Sequence, residues 1–326
     1  MAEECSAPRA GGDWLVPPDE RAGLRRYVTT SRDRAWLIVA LAVLTAAVAI
    51  AFVALATKTY EAEAAGILAG VVIAVAAAIA FRALDPRLRR EEQLRHLFRI
   101  PVIGHVPRET NGSSDMPLSP RLISSATTKA YGNLRGTVSA SSRRPGGEVL
   151  LVTSSSSSEG KTTTAINLAA SLSAAGRRVI LVETDLRRPA IGRSLGVVPK
   201  RGVVGVLIES VTIDEALITG DSLGLPDLKL LLAENEVGWI NGLFSLPAAS
   251  EMLEEARKLA DYVIVDCPPL TDVVDALTLA RDADDILLVV RPGTTRLSKL
   301  NHLGEILAEN GIKPMGFAVV GASRRR

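Results

Sequence analysis

The chain has 326 residues, enough for about two folded units with a sizeable core. Its 38 Lys and Arg against 36 Asp and Glu give a formal charge of +2. That excludes the one-sided basic character that makes nucleic acid a default partner, and none is expected. A mean hydropathy of +0.22 in a chain that is 23% charged excludes an evenly mixed soluble protein and requires apolar residues to be concentrated somewhere.

Residues 1–34 read as a cytoplasmic segment, with Arg21, Arg25, Arg26, Arg32 and Arg34 near its end. Residues 35–82 follow as a transmembrane hairpin. Its first uncharged run, Trp36 to Ala56, has about 21 residues, long enough to cross ~30 Å of hydrocarbon. Its second, Ala64 to Phe81, has about 18. A removable signal peptide is the weaker reading, because the first run starts far into the chain and lacks a small-residue cleavage site. Arginines flank both runs on their outer sides (Arg82, Arg87, Arg89 and Arg90 after the second), while the connector 57–63 holds only Lys58 as a basic residue. Both termini are therefore expected in the cytoplasm, with the arginines near membrane lipids and the external connector too short to fold. Gly66 and Gly70 are spaced for close helix packing, although small residues are common in membrane helices in any case.

Residues 83–120 read as a juxtamembrane helix, Asp85 to Arg99, a short strand or turn at Val102 to Pro107, and a polar linker, Arg108 to Pro120. His96 and His105 lack a second close ligand and read as surface or packing residues. Cys5 and Cys267 imply neither a disulfide framework nor a zinc site.

Over 121–326, short apolar runs alternate with helical patterns. Strands are predicted at Val149–Val152, Val179–Val182, Leu228–Leu232, Tyr262–Val265, Ile286–Val290 and Gly316–Val320. Runs without polar alternation indicate a mainly parallel sheet covered on both faces, an α/β doubly wound domain.

The stretch TSSSSSEGKTTTAINLA begins at Thr153, where the first of these strands gives way to a helix, Thr163 to Ala175. A serine run alone is compatible with a flexible linker, but this placement is the context of a phosphate-binding loop. Gly160, Lys161 and Thr162 match G-x-x-x-x-G-K-[ST], with Ser155 at the first glycine position. The loop residues Ser156, Ser157, Ser158, Glu159, Gly160, Lys161, Thr162 and Thr163 are expected to contact nucleotide. Lys161 would reach the β- and γ-phosphates and the Thr162 hydroxyl would ligate Mg²⁺. Two further strand ends carry acids, Glu183-Thr184-Asp185 and Asp266. One such acid could equally be a helix cap, but three motifs at strand carboxyl ends converge on one crevice.

These residues resemble the bacterial tyrosine kinases of capsule and exopolysaccharide synthesis, whose fold is related to the partition and division-site ATPases. TSSSSSEGKTTTAINLA is similar to that family's Walker A region, VETDLRRPAI to its Walker A′ and VIVDCPPL to its Walker B. Ala130-Tyr131-Gly132-Asn133-Leu134-Arg135 looks like the helix before its first strand. Leu24-Arg25-Arg26-Tyr27, Tyr60-Glu61-Ala62-Glu63 and Ile100 to Pro107 are similar to parts of a Wzz-type chain-length determinant. The resemblance covers nearly the whole chain. It implies ATP and Mg²⁺ as cofactors, Lys161, Asp185 and Asp266 as catalytic residues, and Thr162, Glu183, Asp185 and Asp266 around the metal. Arg187 would be a nucleotide contact and Asp185 the base for a tyrosine hydroxyl. It further implies a homo-oligomer in the bacterial plasma membrane, working with polysaccharide polymerase or export proteins.

The departures are specific. Glu183 stands where the family has Asp, and Ser157-Ser158 where it has Pro-Gly, a change that costs conformational ease wherever positive φ is needed. The family's E-x-x-R-x-x-R appears as Lys129, Gly132 and Arg135. Gly321 to Arg326 holds no tyrosine cluster, and the two spans are joined without the family's large external domain. These departures keep a non-catalytic, nucleotide-responsive scaffold open as the alternative function. A partition-type ATPase is a third reading, which a permanent membrane anchor argues against.

Overall fold

A computed structural model describes residues 13–16, 87–108, 124–141, 146–234, 242–245, 247–272 and 276–322. The expected hairpin 35–82, its connector and most of segment 1–34 lie outside these residues. Among the described residues no helix is long and apolar enough to cross a membrane.

The described strands are β1 (Val102–Pro107), β2 (Glu148–Ser154), β3 (Val179–Glu183), β4 (Ile218–Thr219), β5 (Leu228–Leu231), β6 (Tyr262–Asp266), β7 (Asp285–Val290) and β8 (Gly316–Ala322). They form one sheet in the order β1-β8-β7-β2-β6-β3-β5-β4. Every pairing is parallel except that of β4 with β5. The helices are α1 (Glu92–Leu97), α2 (Ser125–Ser141), α3 (Lys161–Ser173), α4 (Ile191–Leu195), α5 (Val203–Leu207), α6 (Ile213–Ala216), α7 (Pro247–Leu259), α8 (Leu277–Asp282) and α9 (Leu297–Glu309).

The apolar runs dictate this architecture. β2, β3 and β6 are buried along their whole length, as strands covered on both faces must be. Because side chains alternate across a sheet, Leu150, Val152, Ile264 and Leu287 join one core with Leu134 of α2 and Leu168 of α3. Val149, Leu151, Val263 and Val265, of the opposite parity, are equally buried. There α7 packs on β2 and β6 and buries Met252, Leu253 and Ala256. The parallel order brings the carboxyl ends of β2, β3 and β6 side by side, with Asp266 opposite both Val152 and Glu183.

The expected doubly wound α/β domain and its six strands are present, but its amino-terminal boundary differs. β1, read above as a strand or turn in a juxtamembrane region, is an edge strand of the sheet, paired with β8 from Val102↔Phe317 onward. Close packing explains why it stays there: a Cβ on Gly104 would sit 2.9 Å from Leu134 Cδ1. The expected helix from Asp85 to Arg99 is also shorter, since only Glu92–Leu97 is helical. Leu88 is fully buried, and its N–H donates to Thr295 O while its carbonyl accepts from Gly293 N, both at 2.7 Å. With that backbone committed to the loop after β7, the helix starts later, where Gln93 Oε1 accepts the N–H groups of Arg89 and Arg90.

The amino-terminal residues Trp14 and Leu15 belong to the same compact unit as Leu88 onward. Trp14 stacks on Phe98 at 6.0 Å, and Phe98 meets Phe317 edge-on at 5.2 Å. Arg99 N donates to Trp14 O at 2.6 Å, and Leu15 forms an antiparallel bridge with Phe98. This clasp needs a glycine in α9, because a Cβ on Gly304 would lie 2.6 Å from Phe98 Cε1 and 3.0 Å from Leu15 Cδ1. Gly304→Ala is expected to cost about 1–3 kcal/mol through overpacking. A thermal melt should show a lower Tm with nucleotide affinity unchanged; an unchanged Tm would mean the clasp yields freely.

Candidate nucleotide site

The loop between β2 and α3 is shaped by two left-handed residues. Ser158 has φ 66° and Gly160 φ 99°, the latter turning the chain into the first residue of α3, Lys161. Gly160 is required twice over, since a Cβ there would also approach Val320 Cγ1 at 3.3 Å. Ser157 and Ser158 are exposed, and Ser154 Oγ donates to Ser156 O at 2.7 Å.

Glu159 points inward. Its carboxylate accepts the backbone N–H groups of Ser155 at 2.9 Å and Ser156 at 3.1 Å, and the Ser155 hydroxyl at 2.9 Å. It also pairs with the Thr295 side chain. Burial raises its pKa, and these hydrogen bonds oppose the rise. The residue expected to contact nucleotide is thus the strut that holds the front of the loop closed. Ser155, at the first glycine position, contributes a hydroxyl that a glycine could not.

Lys161 extends from the start of α3 into the strand ends. Its Nζ donates to Asp185 Oδ2 at 2.5 Å and lies 3.7 Å from Asp266 Oδ1. Burial pulls the lysine pKa down, but the charges of Asp266 and Asp185 outweigh it and the net shift is upward. Asp185, which caps the turn with its other oxygen on Arg188 N at 3.2 Å, is nearly buried. Asp266 is 1% exposed, and neither of its oxygens has a hydrogen-bond partner of normal geometry. Burial raises its carboxyl pKa to about 6, with the Lys161 charge and the nearby Thr162 hydroxyl limiting the rise.

Lys161, Thr162, Asp185 and Asp266 are therefore brought together as the sequence predicts, while other predicted site residues are turned elsewhere. Glu183 directs its carboxylate to three backbone N–H groups, at Ala190, Ile191 and Ala233. Arg187 reaches across to the loop after β6, donating to Asp272 O at 3.2 Å. Cys267 is fully buried, and burial pushes its thiol pKa upward, which makes it unreactive. Two residues of the site were missed by sequence reasoning. Thr295, fully buried after β7, accepts from Arg291 N at 2.8 Å and braces Glu159; Thr271 donates to Ser155 O at 3.2 Å. The only signal for them was their position just beyond strand ends.

The residues fit a magnesium ion accompanied by phosphate. Two buried carboxylate oxygens without a hydrogen bond of normal geometry, beside a threonine hydroxyl, form an incomplete set of hard oxygen ligands. Among the described residues no three His, Cys, Asp or Glu side chains converge on a metal position. Mg²⁺ suits such a set because it usually completes its shell with water and phosphate.

Comparison with known proteins matches an AAA domain over residues 148–309. Over 131 residues the chain is 35% identical to the succinoglycan biosynthesis transport protein ExoP of Rhizobium meliloti, covering 40% of this chain and 17% of that one. Over 159 residues it is 29% identical to the tyrosine-protein kinase YwqD of Bacillus subtilis, covering 48% of this chain and 65% of that one. In sequence, the nucleotide domain is similar to bacterial tyrosine kinases. The chain matches less than two thirds of either relative's length. In fold, this domain resembles the kinase domain of the Escherichia coli tyrosine kinase ETK, with a TM-score of 0.61 at 20% identity over 70% of this chain and 92% of that one.

Two predictions concern the loop between β2 and α3 and the buried acid beside it. At Ser158 a left-handed backbone costs an L-residue about 1–2 kcal/mol, so Ser158→Gly should raise stability by about 1 kcal/mol in chemical denaturation; a loss would show the serine to be favourable there. Asp266 holds its proton up to about pH 6 when folded, against an ordinary 3.8. Between these values the folded state binds more protons than the unfolded one, so stability present at low pH is lost as pH rises through about 6. The Tm of the nucleotide-free chain should fall over that range, and Asp266→Asn should flatten the slope.

Proposed function

We propose that this chain binds ATP with Mg²⁺ at the loop between β2 and α3 and transfers the γ-phosphoryl group to a tyrosine hydroxyl. In this reading it is anchored in a bacterial plasma membrane by the hairpin 35–82 and regulates extracellular polysaccharide synthesis or export. The observation that carries the reading is the position of Lys161, whose ammonium lies between Asp185 and the buried Asp266 immediately behind the left-handed Gly160. Sequence kinship with proteins named for tyrosine phosphorylation and for succinoglycan transport supports the substrate class and the setting.

The chemistry follows from the same contacts. Phosphate oxygens on the loop would draw Lys161 Nζ away from Asp185, leaving that carboxylate free to accept the tyrosine hydroxyl proton as the new O–P bond forms and ADP departs. Asp266 and Thr162 would hold Mg²⁺, which supplies charge neutralisation across the phosphates. Backbone N–H groups at the start of α3 would receive phosphate oxygens with the helix dipole. Self-association, contact with polymerase or export subunits, and arginine contacts with anionic lipids belong to the same proposal.

The second reading, a nucleotide-responsive scaffold without turnover, is favoured by one observation: Glu183, at a motif position where the family has Asp, is occupied by three amides. The test is ATP hydrolysis and phosphotyrosine formation by the full chain in detergent, with Lys161→Met as control. A loss of about 100-fold or more in the variant supports catalysis. Equal, negligible turnover in both, with ATP still bound by the wild type, leaves the scaffold.

A further inference from the structure

Between β3 and α4 runs the loop Thr184-Asp185-Leu186-Arg187-Arg188-Pro189-Ala190, which carries Asp185 and Arg187. Its two ends are joined by a single side chain. Glu183 Oε1 accepts the N–H groups of Ala190 and Ile191, each at 2.6 Å, and Oε2 accepts that of Ala233 at 3.2 Å. Ala233 lies just past the end of β5, so one carboxylate ties the end of β3 to the far side of its own loop and to the neighbouring strand. The side chain is 1% exposed, and no cation pairs with it within 4 Å among the described residues. Burial raises its pKa, and the three amides counter that rise.

The geometry points to Glu183 as a positioning residue that closes the 184–190 loop and thereby holds Asp185 against Lys161, with no direct part in binding metal. A carboxylate satisfied by three buried amides cannot turn to a metal without leaving those donors unpaired, and buried N–H groups are rarely left so. The length of the side chain matters as much as its charge. Reaching from β3 to Ala190 and to Ala233 at once uses the extra methylene of Glu, so an aspartate at this position would have to give up part of the contact. This inference refines the phosphoryl-transfer reading by removing Glu183 from the metal set and leaving Asp185 and Asp266 as the carboxylates that face Lys161.

The test uses the full chain in detergent with Glu183→Gln and Glu183→Asp. Gln keeps the shape but sets an amide N–H₂ against the Ala233 N–H, and Asp keeps the charge but shortens the reach. Hydrogen exchange of the 184–191 amides is measured without nucleotide, and the Mg²⁺ dependence of binding of a fluorescent ATP analogue is titrated separately. Both variants are expected to speed loop exchange by about tenfold, with the half-saturating Mg²⁺ concentration changing less than about threefold. Where the wild type turns over, kcat should fall about tenfold at a nearly constant KM for ATP. Unchanged loop exchange overturns the inference, as does a larger shift in Mg²⁺ requirement in either variant, or an unchanged kcat in an active chain. Exchange and nucleotide binding are read whether or not the chain has kinase activity, so an inactive wild type counts against the proposed function and leaves this test intact.

Discussion

Lys161 Nζ is the cation around which the carboxyl end of the sheet is organised, 2.5 Å from Asp185 and 3.7 Å from Asp266. Breaking one partner of such a buried set leaves an uncompensated charge, so the three side chains constrain one another. The lysine is delivered by the first turn of α3, and that turn exists because Gly160 takes a left-handed conformation. The carboxylates arrive from β3 and β6, which are adjacent only because the strand order places β6 between β2 and β3. Fold and site are thus one arrangement seen at two scales.

The same region buries more negative than positive charge. Glu159, Glu183, Asp185 and Asp266 are all nearly inaccessible, and among the described residues Lys161 is the one buried cation that faces the last two. Two solutions to this imbalance are visible. Glu159 and Glu183 are stabilised by backbone dipoles, with the donors of the loop and of the α4 start turned toward them, although burial still holds both pKa values above the ordinary range. Asp266 has no backbone donors to do the same, and its pKa is pushed up to about 6. A divalent cation carried on phosphate would remove the imbalance, and nucleotide and metal bound there would depend on one another.

Much of this was legible in the amino-acid sequence, for reasons that can be located. Continuous apolar runs such as Val179 to Val182 can only be central strands, and glycine, lysine and threonine after such a run have few other uses. β1 was harder to place because its burial alternates irregularly and includes Gly104, His105 and Pro107; its partner β8 lies more than two hundred residues away in sequence. β4 is two residues long and carries no periodicity. For Glu159 and Glu183 the sequence placed an acid near the site but not the direction of its carboxylate. Direction was decided by unpaired backbone N–H groups supplied by other segments, Ala233 among them.

The clasp of Trp14 and Leu15 on Phe98 closes the intervening chain, residues 16–87 included, into a ring whose two ends rest on one folded unit. Closing such a ring costs entropy that grows only with the logarithm of its length, about 0.6 kcal/mol for each doubling. Added as flexible linker, even a long stretch of extra chain between the two ends of this ring would therefore weaken the clasp very little. The nucleotide domain is, in this respect, thermodynamically indifferent to how much chain is strung between its two points of attachment.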